Sequence, residues 1–229
     1  GFAAIRRSLP FRALLGTYLL QALATGTMLA GAQYVATWVM RSESAVTLLF
    51  IALVAPAVIA TPCWDLLSRR IGKERGFRIA SVLYLLAAAS IVTALWAPGS
   101  WIYASVAVAG VAYAGMQALP MAMLPDVISH DERQSGPGQA GTFTGMWTAA
   151  ETVGFALGTT IVAIVLAITG YVSRTAASGA VAANAAITQP GSAVAGIVLI
   201  FSVAPAALML LSLVTLARYR LRRHDIDGT

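Results

Sequence analysis

Residues 79–125 read IASVLYLLAAASIVTALWAPGSWIYASVAVAGVAYAGMQALPMAMLP, a stretch without a single Asp, Glu, Lys or Arg. A bilayer core about 30 Å thick takes about 20 apolar residues per helical crossing, so this run is long enough for two. Ala97-Pro98-Gly99-Ser100 supplies the Pro-Gly turn signal between them, giving crossings at 79–96 and 101–124. The same reading carried outward finds runs at about 13–40 and 45–64 upstream, and 142–169 and 193–217 downstream. The fifth run holds one charge, Glu151. Across its 229 residues the chain is 59% hydrophobic and 10% charged, with a mean hydropathy of +0.79. A soluble domain is roughly 25% charged, so a water-soluble globule is excluded. The expected fold is an all-α integral membrane protein, with residues 1–229 forming a single six-helix transmembrane domain. The first run is too long for a signal-peptide core and no cleavage site follows it.

The net charge of +6 follows the same logic. Arg6, Arg7 and Arg12 precede span 1, and Arg69, Arg70, Lys73, Arg75 and Arg78 lie between spans 2 and 3. Arg133 lies between spans 4 and 5, and Arg218, Arg220, Arg222 and Arg223 follow span 6. Only Arg41 and Arg174 fall on the other side. Thirteen against two places both termini in the cytoplasm of a multi-pass protein of the plasma (inner) membrane. The positive charges are scattered over four segments, so the bilayer is the expected partner and nucleic acid is not. One cysteine, Cys63, leaves no disulfide framework. His130, Asp131 and Glu132 are adjacent in a loop and do not suit convergence on one ion. No metal and no cofactor is expected.

Polar residues inside the spans carry the functional signal. Glu151 is the one ionisable acid or base well inside a span, about 12 Å from the inner end of its helix at 1.5 Å per residue. A charge at that depth is costly, so it should face a cavity, find a partner or be protonated. Trp147 lies one turn before it, on the same face. Gly154 and Gly158 form a Gly-x-x-x-Gly pair suited to close helix approach. Gln21 with Thr25, Gln33 with Thr37, Tyr34 with Trp38, and Tyr113 with Gln117 are i,i+4 pairs. Amides, phenols and aromatic rings suit sugar hydroxyls and rings, and they serve equally as interhelical hydrogen-bond glue. The candidate cavity residues are Gln21, Thr25, Gln33, Tyr34, Trp38, Tyr113, Gln117 and Trp147, with Glu151 and Thr152 for coupling. Pro56, Pro62, Pro120 and Pro205 are expected kinks.

At the inner face, Arg69 and Arg70 suit a helix C-terminus, with Gly72 as its stop. Asp65 is disfavoured there and should have a basic partner. Asp65, Arg69, Arg70 and Lys73, with Asp126 after span 4, read either as membrane anchors or as a charge relay that locks one conformation.

Several stretches taken in order resemble one family. They are Met123-Leu124-Pro125-Asp126-Val127-Ile128, Asp131-Glu132, Gly141, Gly145, Gly154-Phe155-Ala156-Leu157-Gly158, Gly170-Tyr171-Val172, Gly196-Ile197, Pro205 and Tyr219-Arg220-Leu221. Together they resemble the C-terminal six helices of the glycoside–pentoside–hexuronide:cation symporters, the melibiose-permease-like branch of the major facilitator superfamily, from about residue 5 to residue 223. The resemblance implies a twelve-helix transporter of two six-helix bundles, of which this chain is one. It implies alternating access for a small polar solute such as a sugar or glycoside, coupled to a proton or sodium. The family's cation-binding carboxylates lie mainly in the other bundle, and the lysine usual in the fifth span falls here on Thr152, with Glu151 beside it. The second bundle is expected as a preceding part of the same polypeptide, then as a partner subunit, then as a second copy. A secondary active transporter is the leading reading and an enzyme is not expected. A non-transporting membrane scaffold or assembly subunit is the alternative, and its mark would be a dry bundle in which Glu151 faces another helix.

The charge count makes the topology testable. In a Cys63→Ser background, a cysteine at Ser178 should react with an impermeant maleimide added outside intact cells; labelling only after the inner face is opened would reverse the orientation.

Overall fold

The computed structural model describes residues 8–42, 44–135, 140–173 and 188–219. The long loop read between spans 5 and 6, with Arg174, falls mostly outside these residues, as do Arg6, Arg7 and the arginines from 220 onward. Among the described residues all regular structure is helical. Helix α1 (Leu9–Tyr34) runs into a π-helical turn at Val35–Val39. Then follow α2 (Ala45–Ile71), α3 (Lys73–Ser90) with a 3-10 turn at Ile91–Leu95, α4 (Trp101–Ser135) and α5 (Ala140–Ile168). The last span is broken into α6 (Gly191–Phe201) and α7 (Val203–Leu216). Six segments, Leu9–Val39, Ala45–Ile71, Lys73–Leu95, Trp101–Arg133, Ala140–Ile168 and Gly191–Leu216, are long and apolar enough to cross a membrane.

The helices outrun the uncharged runs at the arginine-rich end. A helix does not stop where hydrocarbon stops, so α2 continues through Asp65 to Ile71, where Arg69 and Arg70 meet its C-terminal dipole. Gly72 ends it at φ 92° and ψ 148°, an extended positive-φ backbone that favours glycine, rather than in the left-handed helical cap. Helix α4 likewise continues through Pro125 to Ser135. Pro56, Pro62 and Pro120 also lie inside helices. Pro205 sits just past the break at Ser202.

Packing sorts the spans into two layers. Helix α1 packs on α5, α4 packs on α2, and α1 and α4 meet only lightly. Behind them α3 supports α4, α6 and α7 support α1, and α3 touches α7. Exchanging each span for the one three places on leaves this pattern unchanged, so spans 1–3 and 4–6 pack alike. The front layer therefore runs 5, 1, 4, 2. Burial agrees: spans 1 and 4 are 61% and 50% buried, against 22% and 17% for the flanking spans 5 and 2.

Lipid removes the hydrophobic drive between helices, so close backbone approach and polar bonds must hold them. A Cβ added at Gly154 would come within 2.6 Å of Ala22 Cβ, and one at Gly158 within 2.6 Å of the Thr27 nitrogen. The Gly-x-x-x-Gly pair is thus the contact surface for α1, met from the other side by Gly26 against Phe155. The counterpart between α4 and α2 is Gly110, where a Cβ would fall on the Leu53 carbonyl oxygen. One turn and a half further on, Trp64 lies on Gly115 and donates Nε1–H to the Val111 carbonyl at 2.7 Å.

This contrast predicts opposite outcomes for one substitution. Gly110→Ala should destabilise the purified protein by about 1–3 kcal/mol through overpacking. Gly16→Ala, where an added methyl meets nothing within 4 Å, should be neutral or stabilising. Thermal melts in detergent compare them; equal midpoints would show that the α2–α4 contact yields freely.

Candidate functional site

Four of the polar residues expected to matter meet where α1, α4 and α5 approach one another. Tyr18 donates its hydroxyl to Gln117 Oε1 at 3.0 Å. Gln117 Nε2 donates to the Tyr113 oxygen at 3.0 Å and to Glu151 Oε1 at 3.4 Å. The amide is oriented by its partners, since a carboxylate oxygen calls for the nitrogen on that side. The Tyr18 ring stacks on Trp147, with centroids 4.0 Å apart and 22° between planes. Tyr113, Gln117 and Glu151 are half-buried and Trp147 is buried. Trp147 Nε1 has no hydrogen-bond partner. Helix periodicity explains the meeting: 147, 151, 154 and 158 follow one stripe of α5, and 113 and 117 are one turn apart on α4. Tyr18 is the member that the sequence did not single out.

Gln21 enters from α1 with a different role for each end of its amide. It is 2% exposed. Nε2 donates to Ser81 Oγ of α3 at 2.8 Å and, at 3.4 Å, to Ser212 Oγ of α7. Each serine already donates its own proton backward, Ser81 to the Phe77 carbonyl and Ser212 to that of Met209. Both hydroxyls can therefore only accept from Gln21, which fixes the amide with Oε1 on the far side. That oxygen has no partner. Gln21 also lines a small cavity, shared with Tyr18, Thr25, Tyr113, Gln117 and Phe155. The cavity fills the seam left by the light contact of α1 with α4. An unpaired buried carbonyl and an unpaired indole N–H are costly, about 1–3 kcal/mol each. Tyr113 accepts from Gln117 and keeps its own proton free for another acceptor. The wall thus offers hydrogen-bonding capacity of both signs.

Of the remaining candidates Thr25 lines the same cavity, and the others lie elsewhere. Thr25 turns its hydroxyl back to the Gln21 carbonyl at 2.9 Å. Tyr34 and Trp38 gather near the end of α1 around Tyr171, which follows α5; Tyr34 meets the Tyr171 ring edge-on at 5.3 Å and Trp38 Nε1 donates to its hydroxyl at 3.2 Å. Gln33 is exposed beside them. At 1.5 Å per residue this group is about 20 Å along α1 from Gln21, so the structure separates it from the central site. Thr152 is exposed and bonds back to the Thr148 carbonyl at 2.9 Å. It heads a threonine sector of α5, with Thr144, Thr148 and Thr159, while Val153, Leu157, Ile164 and Ile168 occupy the other exposed sector.

At the arginine-rich end, Asp65 pairs with Arg69 at 2.9 Å, the basic partner its position calls for. Arg70 is exposed. Lys73 Nζ bridges to α4, reaching Asp126 Oδ2 at 2.7 Å and the Ala122 carbonyl at 2.9 Å, in the turn loosened by Pro125. Burial, with Asp126 and Glu74 nearby, holds the Tyr219 phenol well above its ordinary range, so it stays neutral.

Because Gln21 ties three spans together, Ser81→Ala should destabilise the bundle by about 1–3 kcal/mol by stranding an amide proton. Adding Gln21→Met should restore most of that loss. A double-mutant cycle by thermal melting checks it, and additive effects would mean that the two side chains do not interact.

The profile of the family described as MFS/sugar transport protein matches residues 1–223. No curated protein matches the chain.

Proposed function

Given that the chain belongs to the MFS/sugar transport protein family, we propose that this transporter of the MFS type moves a small polar solute, such as a sugar or glycoside, by cation-coupled alternating access. The central cavity is the solute site. Gln21 Oε1 accepts from a solute hydroxyl, Tyr113 donates to a solute oxygen, and the Tyr18 ring, backed by Trp147, offers an aromatic face. Glu151 is the coupling group, joined to the site through the amide of Gln117 and close to the Tyr18 phenol. One observation carries this reading: Glu151 is held at 3.4 Å by a residue whose other bonds go to two phenols of the cavity wall. A scaffold would be better served by apolar packing there than by an unpaired carbonyl.

Orientation and assembly complete the proposal. Both termini face the cytoplasm and the membrane is the plasma membrane. The six helices form the C-terminal bundle, resembling the melibiose-permease-like branch, and a second six-helix bundle closes the pathway. The threonine sector of α5 is the side turned toward that pathway and the aliphatic sector is turned toward lipid. Each threonine hydroxyl of the sector returns to its own helix, so the surface carries no unsatisfied donor while the pathway changes shape. Lys73, pairing with Asp126 across two spans, joins Asp65, Arg69 and Arg70 as the inner-loop charges that favour one conformation. Gln33, Tyr34 and Trp38 line the outer approach.

The coupling cation is a proton in this reading. A proton needs one carboxyl, whereas sodium needs several oxygen ligands. No Lys or Arg of the described chain lies at the depth of Glu151, so a proton is the neutralising cation in this reading. Glu151→Gln, a mimic of the protonated acid, should keep solute binding and downhill exchange yet lose gradient-driven accumulation. Uptake in energised vesicles, measured across pH against counterflow in the same vesicles, separates the two. Normal accumulation by Glu151→Gln at every pH would remove the residue from coupling. Thr152→Lys places the family's usual cation beside the acid and, by favouring its ionised form, should likewise abolish proton-driven accumulation while leaving downhill exchange.

A further inference from the structure

The inner ends of α3 and α7 carry positive charge that the protein itself does not balance. At the arginine-rich end Asp65 pairs with Arg69, Asp126 with Lys73 and Glu74 with Arg78. Arg75 and Arg218 are exposed, and their side chains make no ion pair or hydrogen bond among the described residues. One amide fixes their relative depth. Gln21 bonds to Ser81 of α3 and Ser212 of α7, so the two serines lie at one level. The two helices run in opposite directions. Six residues toward the arginine-rich end lead from Ser81 to Arg75 on one and from Ser212 to Arg218 on the other. At 1.5 Å per residue, both arginines lie about 9 Å below the serines. The Tyr219 phenol, beside Arg218, feels the charge of Glu74, beside Arg75, which puts the two helix ends at one corner.

Each arginine heads an apolar stripe. Steps of three and four residues from Arg75 lead along α3 to Ile79, Val82 and Leu86, all exposed. Back from Arg218 along α7 the exposed side chains are Val214, Leu211 and Leu210. Helices α3 and α7 touch each other behind the front layer, so the two stripes border one furrow on the back of the bundle. Apolar walls with two uncompensated guanidinium groups at the inner end match the chemistry of a phospholipid. Acyl chains lie along the aliphatic side chains, and guanidinium N–H groups hold phosphate oxygens through paired hydrogen bonds. We propose that this furrow binds an anionic phospholipid of the inner leaflet, of the phosphatidylglycerol class, with its phosphate between Arg75 and Arg218. A zwitterionic lipid brings its own ammonium into a corner that already holds two uncompensated positive charges, whereas a net negative headgroup balances them. The bound lipid ties span 3 to span 6 on the side away from the polar cavity, so the inference is independent of the solute reading.

The test uses the full-length protein in detergent micelles mixed with equal amounts of phosphatidylglycerol and phosphatidylcholine, with native mass spectrometry counting the lipid that stays bound. Phosphatidylglycerol should be retained over phosphatidylcholine. Arg75→Gln and Arg218→Gln should each weaken that retention about fivefold, equivalent to about 1 kcal/mol per arginine. Arg70→Gln, at an exposed arginine of α2 without an ion pair, should leave it unchanged. Leu211→Trp, which narrows the furrow without changing its charge, should weaken it. A ligand of the folded state stabilises that state, so phosphatidylglycerol should raise the thermal midpoint of the unsubstituted protein more than that of the Arg75→Gln/Arg218→Gln double variant. Equal losses in all three arginine variants assign the lipid to the general positive charge of the inner face and overturn the site. Unchanged retention in the double variant overturns it too. If glycerol phosphate at matched concentration reproduces the stabilisation, the ligand is a free phosphate and the lipid assignment fails.

Discussion

Span 1 is held from two sides by two kinds of contact, and the rest of the bundle is arranged around that fact. On the α5 side the hold is steric: Gly26, Gly154 and Gly158 carry no side chain at the points where the helices come closest. On the other side it is polar: Gln21 bonds to Ser81 and Ser212, and Thr17 bonds to Thr215 at 2.8 Å. Both belong to the forces that operate in lipid, where apolar area alone favours no partner. With span 1 committed mainly to spans 5 and 6, little of it is left for span 4. The front of the bundle accordingly has a seam, and the polar cavity lies in it.

The polar groups of that seam are connected unequally. Gln117 uses both ends of its amide, accepting from Tyr18 and donating to Tyr113 and Glu151. Gln21 uses one end to hold the fold and leaves the other buried without a partner. The same residue type thus supplies a junction in one helix and an anchored acceptor in another. The difference comes from the neighbours: two serines that have spent their protons on their own helix can only accept. A site built this way presents its acceptor rigidly, because moving it would break contacts among three spans.

Much of the architecture was legible in the sequence. The uncharged runs locate the six crossings because lipid tolerates few charges, and the turn at Pro98-Gly99 divides the longest run. Their helical extents were not legible at the charged end. Residues such as Arg69 and Asp126 mark the limit of hydrocarbon, while hydrogen bonding carries α2 and α4 onward into the polar region. Glu151, Tyr113 and Gln117 stood out because a polar side chain in an apolar run must find a partner. Tyr18, Ser81 and Ser212 did not. Tyr18 precedes Gln21 by three positions and so shares its face, a signal that was available. Ser81 and Ser212 resemble the small residues found throughout membrane helices, and only the fold brings them to one amide. Tyr34 and Trp38 were grouped with Gln21 by residue type; counting helical rise along α1 separates them. The break of span 6 at Ser202 carries only the faint mark of Pro205, three residues on.

Under the proposed mechanism, coupling follows from the economy of the Gln117 junction. A site responds to the state of Glu151 only if the two forms of that carboxyl interact differently with groups that also touch the solute. An ionised Glu151 draws an N–H of Gln117, since a charged acceptor makes the stronger bond. A protonated Glu151 releases that claim and becomes a donor, leaving the amide to favour Tyr113. Tyr113 then exchanges one neighbour for a stronger one, and its own proton is directed accordingly toward the cavity. Three side chains on two helices, α4 and α5, thus carry a charge change at Glu151 to the wall of the seam. The contact between α1 and α4 is the lightest in the front layer, so it is also where such a change meets least resistance. The glycine contacts between spans 1 and 5 and between spans 4 and 2 keep each flank fixed while the seam between them adjusts.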